Sequence, residues 1–442
     1  MAKTNKSHLI IKAIVIISVF IVFVGKFISP IEINMLLWVY SLLITLIIFI
    51  TFSVAYTYYK DPAERVILKK KPLVSVLIAV KNEEKLIESC VMSFVNQKYK
   101  NKEVIIIDDG SSDDTPAILD RLHVTHGIKV IHLEKNIGKK KALCLGMQKS
   151  KGDIFVFSDS DSIAEEDAVV QLVKVFCADK TTGAVTGHGR ALNGGKNILT
   201  RIQDVWYDGQ FRVVKGMESV FGAVTCCSGC LSAFRREAIY PFIEQWANDK
   251  FLGKEFKGAT DRQLTGYVLG APYYYNRAAR FDDTDDRKMT SYALIDWKVK
   301  YCASAKVLTE VPDNFKTFIR QQIRWKKNFI RNLFFTGAIY WKKHPLASFV
   351  WYSGALFTFI SPFIAFYSLV LMPLGGDIWT PLIYLSGIIY IGFIYGIDHK
   401  LAHPESTRWV YRPLMSLIST FILSWLLFYA ILTIRSYTWL TR

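Results

Sequence analysis

Two apolar segments that are typical of buried strands each lead directly into acidic side chains. Residues 104–107 precede Asp108-Asp109-Gly110, and residues 154–158 precede Asp159-Ser160-Asp161. Bringing four carboxylates to one edge of a sheet costs free energy unless a cation neutralises them. Hard divalent cations such as Mg²⁺ or Mn²⁺ bind carboxylates together with substrate phosphates. Each motif alone also fits an ordinary turn, but together they predict a site for a nucleotide and a metal ion.

A basic segment lies between the two acidic motifs. Residues 136–141 read Asn-Ile-Gly-Lys-Lys-Lys and lead into a predicted helix. The N–H groups of a helix start and the ammonium groups of Lys139 and Lys140 could together hold a diphosphate. The alternative is an exposed basic helix start without a ligand.

A lone carboxylate beside a basic residue follows further along the chain, in Thr260-Asp261-Arg262. A sugar hydroxyl is a poor nucleophile, so a positioned carboxylate is its natural general base, and Asp261 is the candidate. Gln322, Arg324 and Trp325 combine an amide, a guanidinium and an indole, which suit an acceptor sugar and a leaving diphosphate. The remaining basic residues of 320–343 fit an amphipathic helix at a membrane interface.

Alternating strands and helices must position these motifs. The predicted strands are 73–80, 103–109, 129–133 and 154–158, and the predicted helices are 83–97, 113–124, 139–149 and 165–176. Strands separated by helices of about 10–15 residues predict a parallel sheet that is covered on both faces. Ligands of such sheets bind beyond the carboxyl ends of the strands, where the acidic motifs lie.

The composition predicts a membrane protein, because 51% of the residues are hydrophobic and only 21% are charged. The segments apolar enough to cross a hydrocarbon core of ~30 Å are about 9–28, 34–59, 346–372, 379–397 and 413–434. The first also resembles a secretory signal peptide, but Phe27-Ile28-Ser29-Pro30 is a poor cleavage site. We therefore expect an anchor that forms a hairpin with the second span through the loop 29–33.

The net charge of +17 indicates either a nucleic-acid binder or a membrane protein with basic residues on one side. The basic residues cluster in the N-terminal tail, at Lys69-Lys70-Lys71 and within 320–343, in each case next to a predicted span. This distribution follows the positive-inside rule. It predicts a cytosolic segment at about 60–344, a lipid bilayer as partner and no bound nucleic acid.

Three of the seven cysteines fall in Cys226-Cys227-Ser228-Gly229-Cys230. The spacing of Cys227 and Cys230 could indicate zinc or redox chemistry, but no second cysteine pair or histidine follows at a ligand spacing, which argues against a metal site. Reduced thiols in a tight turn of a cytosolic segment are the favoured interpretation.

Taken together, these residues resemble the processive inverting glycosyltransferases that include hyaluronan, chitin, cellulose and poly-N-acetylglucosamine synthases. The ordered motifs Asp-Asp-Gly, Asp-x-Asp, x-x-Asp-Arg and Gln-x-x-Arg-Trp carry the resemblance, which covers about 70–335. Within this family, residues 227–237 and 260–265 look most like those of hyaluronan synthases.

The resemblance implies roles for individual residues. The nucleotide-sugar donor would be bound by Asp108, Asp109, Lys139, Lys140, Asp159 and Arg324, with Asp109 on the uridine side and Asp159 and Asp161 holding the diphosphate and metal. Asp261 would be the general base. The acceptor would be bound by Ser228, Gly229, Arg235, Arg262, Gln322 and Trp325.

Two departures bear on the product. Hyaluronan synthases usually have Gly-Asp before the Asp-Arg pair where this chain has Ala259-Thr260, and Pro where it has Cys230. The predicted product is therefore either a polymer made from UDP-N-acetylglucosamine and UDP-glucuronate, such as hyaluronan, or a chitin-like or poly-N-acetylglucosamine homopolymer. A non-processive transferase to a lipid acceptor and a channel with a nucleotide-binding domain are further alternatives.

The predicted fold is an α/β, Rossmann-like nucleotide-sugar domain of the GT-A type, inserted between transmembrane helices of a multi-pass membrane protein. The predicted parts are a transmembrane hairpin at 1–60, a cytosolic glycosyltransferase domain at 61–315, interfacial helices at 316–344 and transmembrane helices at 345–442. The predicted ligands are UDP-sugars, Mg²⁺ or Mn²⁺, and the growing polysaccharide.

Overall fold

The computed structural model describes residues 2–28, 34–278 and 291–436. The predicted loop 29–33 lies outside the described residues. The strands are β1 (Val74–Val80), β2 (Lys102–Asp108), β3 (Lys129–His132), β4 (Ile154–Phe157), β5 (Ser162–Ala164), β6 (Thr182–Ala191), β7 (Ser232–Arg235), β8 (Lys250–Phe251), β9 (Lys254–Glu255) and β10 (Lys298–Thr309).

The α-helices cover the sheet and flank it at both ends of the chain. They are α1 (Ala2–Ile28), α2 (Met35–Tyr58), α3 (Ile87–Val95), α4 (Thr115–His126), α5 (Lys139–Lys149), α6 (Ala168–Ala178), α7 (Ile198–Gly209), α8 (Gly216–Val220), α9 (Arg236–Ile239), α10 (Ile243–Ala247), α11 (Thr260–Leu269), α12 (Ala271–Ala278), α13 (Phe315–Phe335), α14 (Pro345–Phe366), α15 (Met372–Leu374), α16 (Trp379–Ala402), α17 (Arg412–Ile418) and α18 (Leu426–Leu432). Six π-helical residues, Gln210–Lys215, join α7 to α8.

The main sheet has eight strands in the order β3-β2-β1-β4-β7-β6-β10-β5. Every residue of β1 is buried, as expected for an apolar, β-branched strand covered on both faces. Strands β3, β2, β1 and β4 are parallel, as predicted, so β2 and β4 end at one edge. The acidic motifs that follow these two strands are thereby brought together.

The second half of the sheet is mixed rather than parallel. Strand β7 is antiparallel to both β4 and β6, and β5 is antiparallel to β10. The reason lies in the loop before β7, since Ser232 pairs with Phe157 at the carboxyl end of β4. A strand that starts at that edge must run back across the sheet.

Helices that could cross a membrane flank the sheet domain, close to the predicted spans. In the described residues these are Ser7–Ile28, Met35–Tyr58, Pro345–Leu374 and Trp379–Ala402. A fifth candidate is a bent pair, Arg408–Leu423 and Leu426–Leu432, with 43° between its halves. The last predicted span is therefore broken near Ser424, a feature that its uninterrupted apolar run did not indicate.

Candidate functional site

A cavity of about 1660 Å³ opens beyond the carboxyl ends of β1, β2 and β4. The predicted site residues that line it are Asp109, Lys139, Asp159, Asp161, Ser228, Gly229, Asp261, Arg262, Arg324 and Trp325. Four predicted residues, Asp108, Lys140, Arg235 and Gln322, are not part of its lining. The structure thus brings the donor, base and acceptor candidates to one space.

Asp109 fixes the basic loop at the cavity. Its carboxylate accepts hydrogen bonds from the backbone N–H groups of Ile137, at 2.7 Å, and Gly138, at 3.0 Å. Burial raises the pKa of Asp109, although these two donors oppose the shift. Gly138 has a φ of +92°, a backbone conformation that favours glycine, and α5 begins directly after it.

Asp159 and Asp161 offer carboxylate oxygens to the same cavity. The ammonium group of Lys139 donates to Asp159. Thr309 Oγ1 donates to Asp161 at 3.1 Å, so its carboxylate is held against β10. Two hard oxygen donors beside a predicted phosphate site are the donor set that Mg²⁺ or Mn²⁺ prefers, and the residues present fit such an ion.

Gly229 allows the loop before β7 to approach Asp159. A Cβ at Gly229 would lie 3.1 Å from both carboxylate oxygens of Asp159. The neighbouring Ser228 receives a hydrogen bond from Lys215. The loop before β7 therefore packs closely against the acidic edge of the sheet.

Asp261 lies in the first turn of α11 and faces the cavity. One carboxylate oxygen accepts the backbone N–H of Arg262 at 2.9 Å, and the other lies 3.5 Å from the thiol of Cys226. Burial, and next the charge of Asp261, raise the pKa of Cys226 to about 12, so the thiol stays protonated and donates. Both carboxylate oxygens are thus oriented by neutral donors.

Helix α13 presents one face to the cavity, and this face includes Gln321, Arg324 and Trp325. These positions are related by i, i+3 and i+4, so they share one side of a helix. Gln322 is buried outside the lining, because one residue along a helix turns the side chain by about 100°. Sequence reasoning grouped Gln322 with Arg324 and missed Gln321, which the helical period would have indicated.

Trp325 forms an aromatic wall with two residues of α7. Its ring centroid lies 5.9 Å from that of Trp206 and 6.0 Å from that of Tyr207. All three side chains line the cavity. A sugar ring can stack on such a surface. The adjacent pair Trp206-Tyr207 belongs to it but was not among the residues predicted from the sequence.

The remaining predicted residues face away from the cavity for reasons of local geometry. Asp108, adjacent to Asp109 on a strand, points to the opposite side and accepts from the backbone N–H of Ser111 at 3.0 Å. Lys140, the next residue after Lys139 on a helix, donates to Gln263 Oε1 at 2.6 Å in the core. Burial lowers the pKa of Lys140 to about 8.

Arg235 is at the wrong end of its strand to reach the acceptor. It pairs with Ile154, at the start of β4, whereas Ser232 pairs with Phe157 at the cavity end. Its guanidinium donates to the carbonyl oxygens of Thr182 and Phe176, both at 3.0 Å. Strand β7 therefore moves Arg235 away from the loop that holds Ser228 and Gly229.

The cavity continues between the helices that could cross a membrane. Its lining includes Ile47 and Thr51 of α2, Gly354 and Thr358 of α14, and Tyr395 of α16. The same space therefore extends from the carboxylates at the sheet edge to these candidate membrane helices. The acidic motifs and the apolar spans are both evident in the sequence, but the continuity of the space between them is not.

Known proteins resemble this chain over most of its length. The family model described as Glycosyl transferase family 2 matches residues 75–241. A hyaluronan synthase of Streptococcus pyogenes is 30% identical over 381 residues, which cover 84% of this chain and 83% of the relative. An N-acetylglucosaminyltransferase of Azorhizobium caulinodans is 28% identical over 376 residues, which cover 84% and 87% of the two chains.

A solved structure shows the same fold. It is a mannosyltransferase, PcManGT of Pyrobaculum calidifontis, in complex with GDP-Man and Mn²⁺, with a TM-score of 0.51 at 17% identity. The match covers 90% of this chain and 99% of that one. Because the sheet fold and the hyaluronan synthase match agree, the chain belongs to the hyaluronan-synthase-like glycosyltransferases of family 2, the membrane polysaccharide synthases that use UDP-sugars.

Proposed function

We propose that this synthase polymerises UDP-N-acetylglucosamine, together with UDP-glucuronate, into a β-linked polysaccharide of the hyaluronan type. The observation that carries the proposal is the continuous cavity, which contains Asp159, Asp261 and Trp325 and extends between the spans. The relatives named hyaluronan synthase and N-acetylglucosaminyltransferase support N-acetylglucosamine as one of the sugars.

The proposed reaction is a single in-line displacement. Asp261 takes the proton of the acceptor hydroxyl as that oxygen attacks the anomeric carbon of the donor, and the bond from this carbon to the diphosphate breaks. Arg324 holds the departing UDP through charge-assisted hydrogen bonds as negative charge develops. Attack opposite the leaving group converts an α-linked donor into a β-linkage.

The donor diphosphate is proposed to lie between Lys139, Asp159 and Asp161. The two carboxylates would hold Mg²⁺ or Mn²⁺, which when bound supplies stabilisation of charge on the diphosphate. Lys139 adds a positive charge on the same side, and Asp109 positions the loop that carries it.

Trp325, Trp206 and Tyr207 are proposed as the surface on which the acceptor sugar stacks. The product would then cross the bilayer inside the protein, along the part of the cavity between α2, α14 and α16, and leave the cell. The catalytic domain is proposed to be cytosolic, since the basic Lys69-Lys70-Lys71 and the basic residues of α13 adjoin the spans.

A second candidate is a homopolymer of N-acetylglucosamine. The N-acetylglucosaminyltransferase relative and the departures at Ala259, Thr260 and Cys230 favour it. The two products differ in whether UDP-glucuronate is required.

The test uses the purified full-length protein in detergent or nanodiscs with UDP-N-acetylglucosamine alone, UDP-glucuronate alone, and both. We expect sustained UDP release and a hyaluronidase-sensitive polymer only with both donors, and reversible loss of activity in excess EDTA. A chitinase-sensitive polymer from UDP-N-acetylglucosamine alone would establish the second candidate. No UDP release from either donor or their mixture would overturn both.

A further inference from the structure

A uronic acid differs from N-acetylglucosamine in carrying a negative charge, so a synthase that uses it needs a cation in its cavity. Nine basic side chains line the cavity here: Lys81, Lys85, Lys139, Lys196, Lys215, Lys257, Arg262, Arg320 and Arg324. Their surroundings distinguish those that are already engaged from those that could bind a sugar carboxylate.

Several of the nine have other roles. Lys139 pairs with Asp159, and Lys196 pairs with Asp313. Lys85, Lys257 and Arg320 are exposed at the mouth of the cavity, where water weakens ion pairs. The positive charge of Lys81 opposes the rise in the pKa of Asp109, so Lys81 lies near the residue proposed to position the nucleotide loop. Arg324 is proposed to hold the diphosphate.

Lys215 and Arg262 remain, and both are half-buried. The ammonium group of Lys215 donates to Ser228 Oγ and lies 4.1 Å from the centre of the Phe211 ring. Arg262 directly follows Asp261 at the start of α11. Within the described residues, neither cation has a carboxylate within ion-pair distance.

The two cations line the same cavity. Burial raises the pKa of the Cys226 thiol to about 12, and the positive charges of Arg262 and Lys215 both oppose that shift. The thiol of Cys226 contacts Asp261, and the backbone N–H of Arg262 donates to the same carboxylate at 2.9 Å. Lys215 donates to Ser228, two residues after Cys226, so both residues lie near the base. The acid near them, Glu218, is buried, and its carboxylate is occupied by the N–H and Oγ1 of Thr225, at 3.2 and 2.8 Å.

We propose that Lys215 and Arg262 form a subsite for the carboxylate of a uronic acid sugar, next to the catalytic base. This inference rests on the proposed function and specifies how its second sugar is recognised. The planar guanidinium of Arg262 can hold a carboxylate through two parallel hydrogen bonds, and Lys215 adds a point charge. A half-buried setting strengthens both interactions relative to those at the protein surface.

The neighbouring loop supports this assignment. Lys215 is held by Ser228, which adjoins Gly229 at the carboxylate of Asp159. The subsite thus lies between Asp159, at the proposed donor site, and the base Asp261, where the transferred sugar would pass. The donor diphosphate is also an anion that could bind these cations. The test therefore distinguishes binding of the sugar carboxylate from binding of the diphosphate.

The test compares Lys215→Gln and Arg262→Gln with the parent enzyme, varying one donor while the other is saturating. We expect the kcat/KM for UDP-glucuronate to fall at least tenfold more than that for UDP-N-acetylglucosamine. Lys215→Arg should restore much of the difference, and Lys85→Gln, an exposed cation at the same cavity, should leave the ratio of the two values at that of the parent. Melting temperature and binding of UDP-N-acetylglucosamine verify that the variants fold.

Other outcomes overturn the inference in distinguishable ways. An equal loss for both donors, with weaker inhibition by UDP, would mean that the cations bind the diphosphate that both donors share. An unchanged ratio in both variants would exclude a role in sugar selection. A parent enzyme that makes polymer without UDP-glucuronate would end this inference while leaving the glycosyltransferase reaction in place.

Discussion

The carboxylate of Asp261 is oriented by a backbone N–H and a thiol, both of which are uncharged. Helix α11 starts directly after Ala259, whose backbone N–H donates to Asn328 Oδ1 at 3.0 Å, and the carbonyl oxygen of Thr260 accepts from Trp246 Nε1 at 2.9 Å. The start of α11 is therefore held by side chains from α10 and α13. A carboxylate fixed in this way can accept a proton without first breaking a strong ion pair.

Asp261→Asn should lose most of its sugar transfer activity but retain binding of the donor. We expect UDP release to fall by about 10²–10⁴-fold, the usual effect of removing a general base, while binding of UDP-N-acetylglucosamine persists. Initial rates of UDP release and calorimetric binding provide the two measurements. Asp113→Asn is the matched control, because Asp113 lines the same cavity but its carboxylate accepts backbone N–H groups of Glu84 and Thr115. Loss of donor binding in Asp261→Asn would place this residue in the nucleotide site instead.

At the scale of the elements, a buried acidic residue joins α7 of the sheet domain to α16 of the membrane region. Asp208 accepts from His399 Nδ1 at 2.8 Å and lies 3.1 Å from His188 Nε2 and 3.5 Å from His403 Nε2. Burial alone raises the pKa of Asp208, but the three imidazoles outweigh it and hold the pKa well below its usual range. The two helices are thus connected by hydrogen bonds as well as by apolar packing.

Asp208→Asn should destabilise the whole protein. Removing one partner from a buried charged network typically costs about 3–5 kcal/mol, because the remaining groups lose their compensation. We expect a clearly lower melting temperature in detergent. Asp296→Asn is the control, since Asp296 is 80% exposed in its ion pair with Lys343 and such surface pairs contribute at most about 1 kcal/mol. Equal melting temperatures for the two variants would show that α7 and α16 do not depend on this network.

In the whole molecule, the predicted site residues and the helices that could cross a membrane line one cavity. The aromatic residues on α7 and α13 line the same cavity as Asp261 and the residues of the spans, so the proposed polymer can contact Trp325 on its way from Asp261. The π-helical residues Gln210–Lys215 connect this aromatic region to α8, which contacts α2. Transfer and translocation are therefore expected to depend on the same elements.

Filling the membrane part of the cavity should shorten the product more than it slows single transfers. Gly354 of α14 lines the cavity, and a Cβ there would meet no atom within 4 Å. Gly354→Phe is expected to reduce polymer length on gels, with a smaller loss of initial UDP release. Gly387→Phe is the control, because Gly387 of α16 has equally open space but does not line the cavity. Equal product lengths for the two variants would argue against this path.

Features that depend on local composition can be predicted from the sequence. The strands β1 to β4 were predicted within a residue or two at each end, because buried parallel strands are short apolar runs. Helix α5 was predicted with its observed bounds, and the membrane spans followed from the length of their apolar runs. Asp159 and Asp161 were predicted to approach Asp109, since parallel strands end at one edge.

Which side chains enter the cavity depends on tertiary packing and cannot be read from local composition. Lys139 and Lys140 are chemically alike, and the rotation of α5 about its axis places one beside Asp159 and the other in the core. The rotation of α13 about its axis likewise places Gln321, and not Gln322, in the cavity lining. The antiparallel direction of β7 places Arg235 at the end of the strand that is far from the cavity. These choices depend on how elements pack against partners that are distant in sequence. Lys215 enters the site for this reason, because its π-helical turn packs between the sheet and the membrane spans.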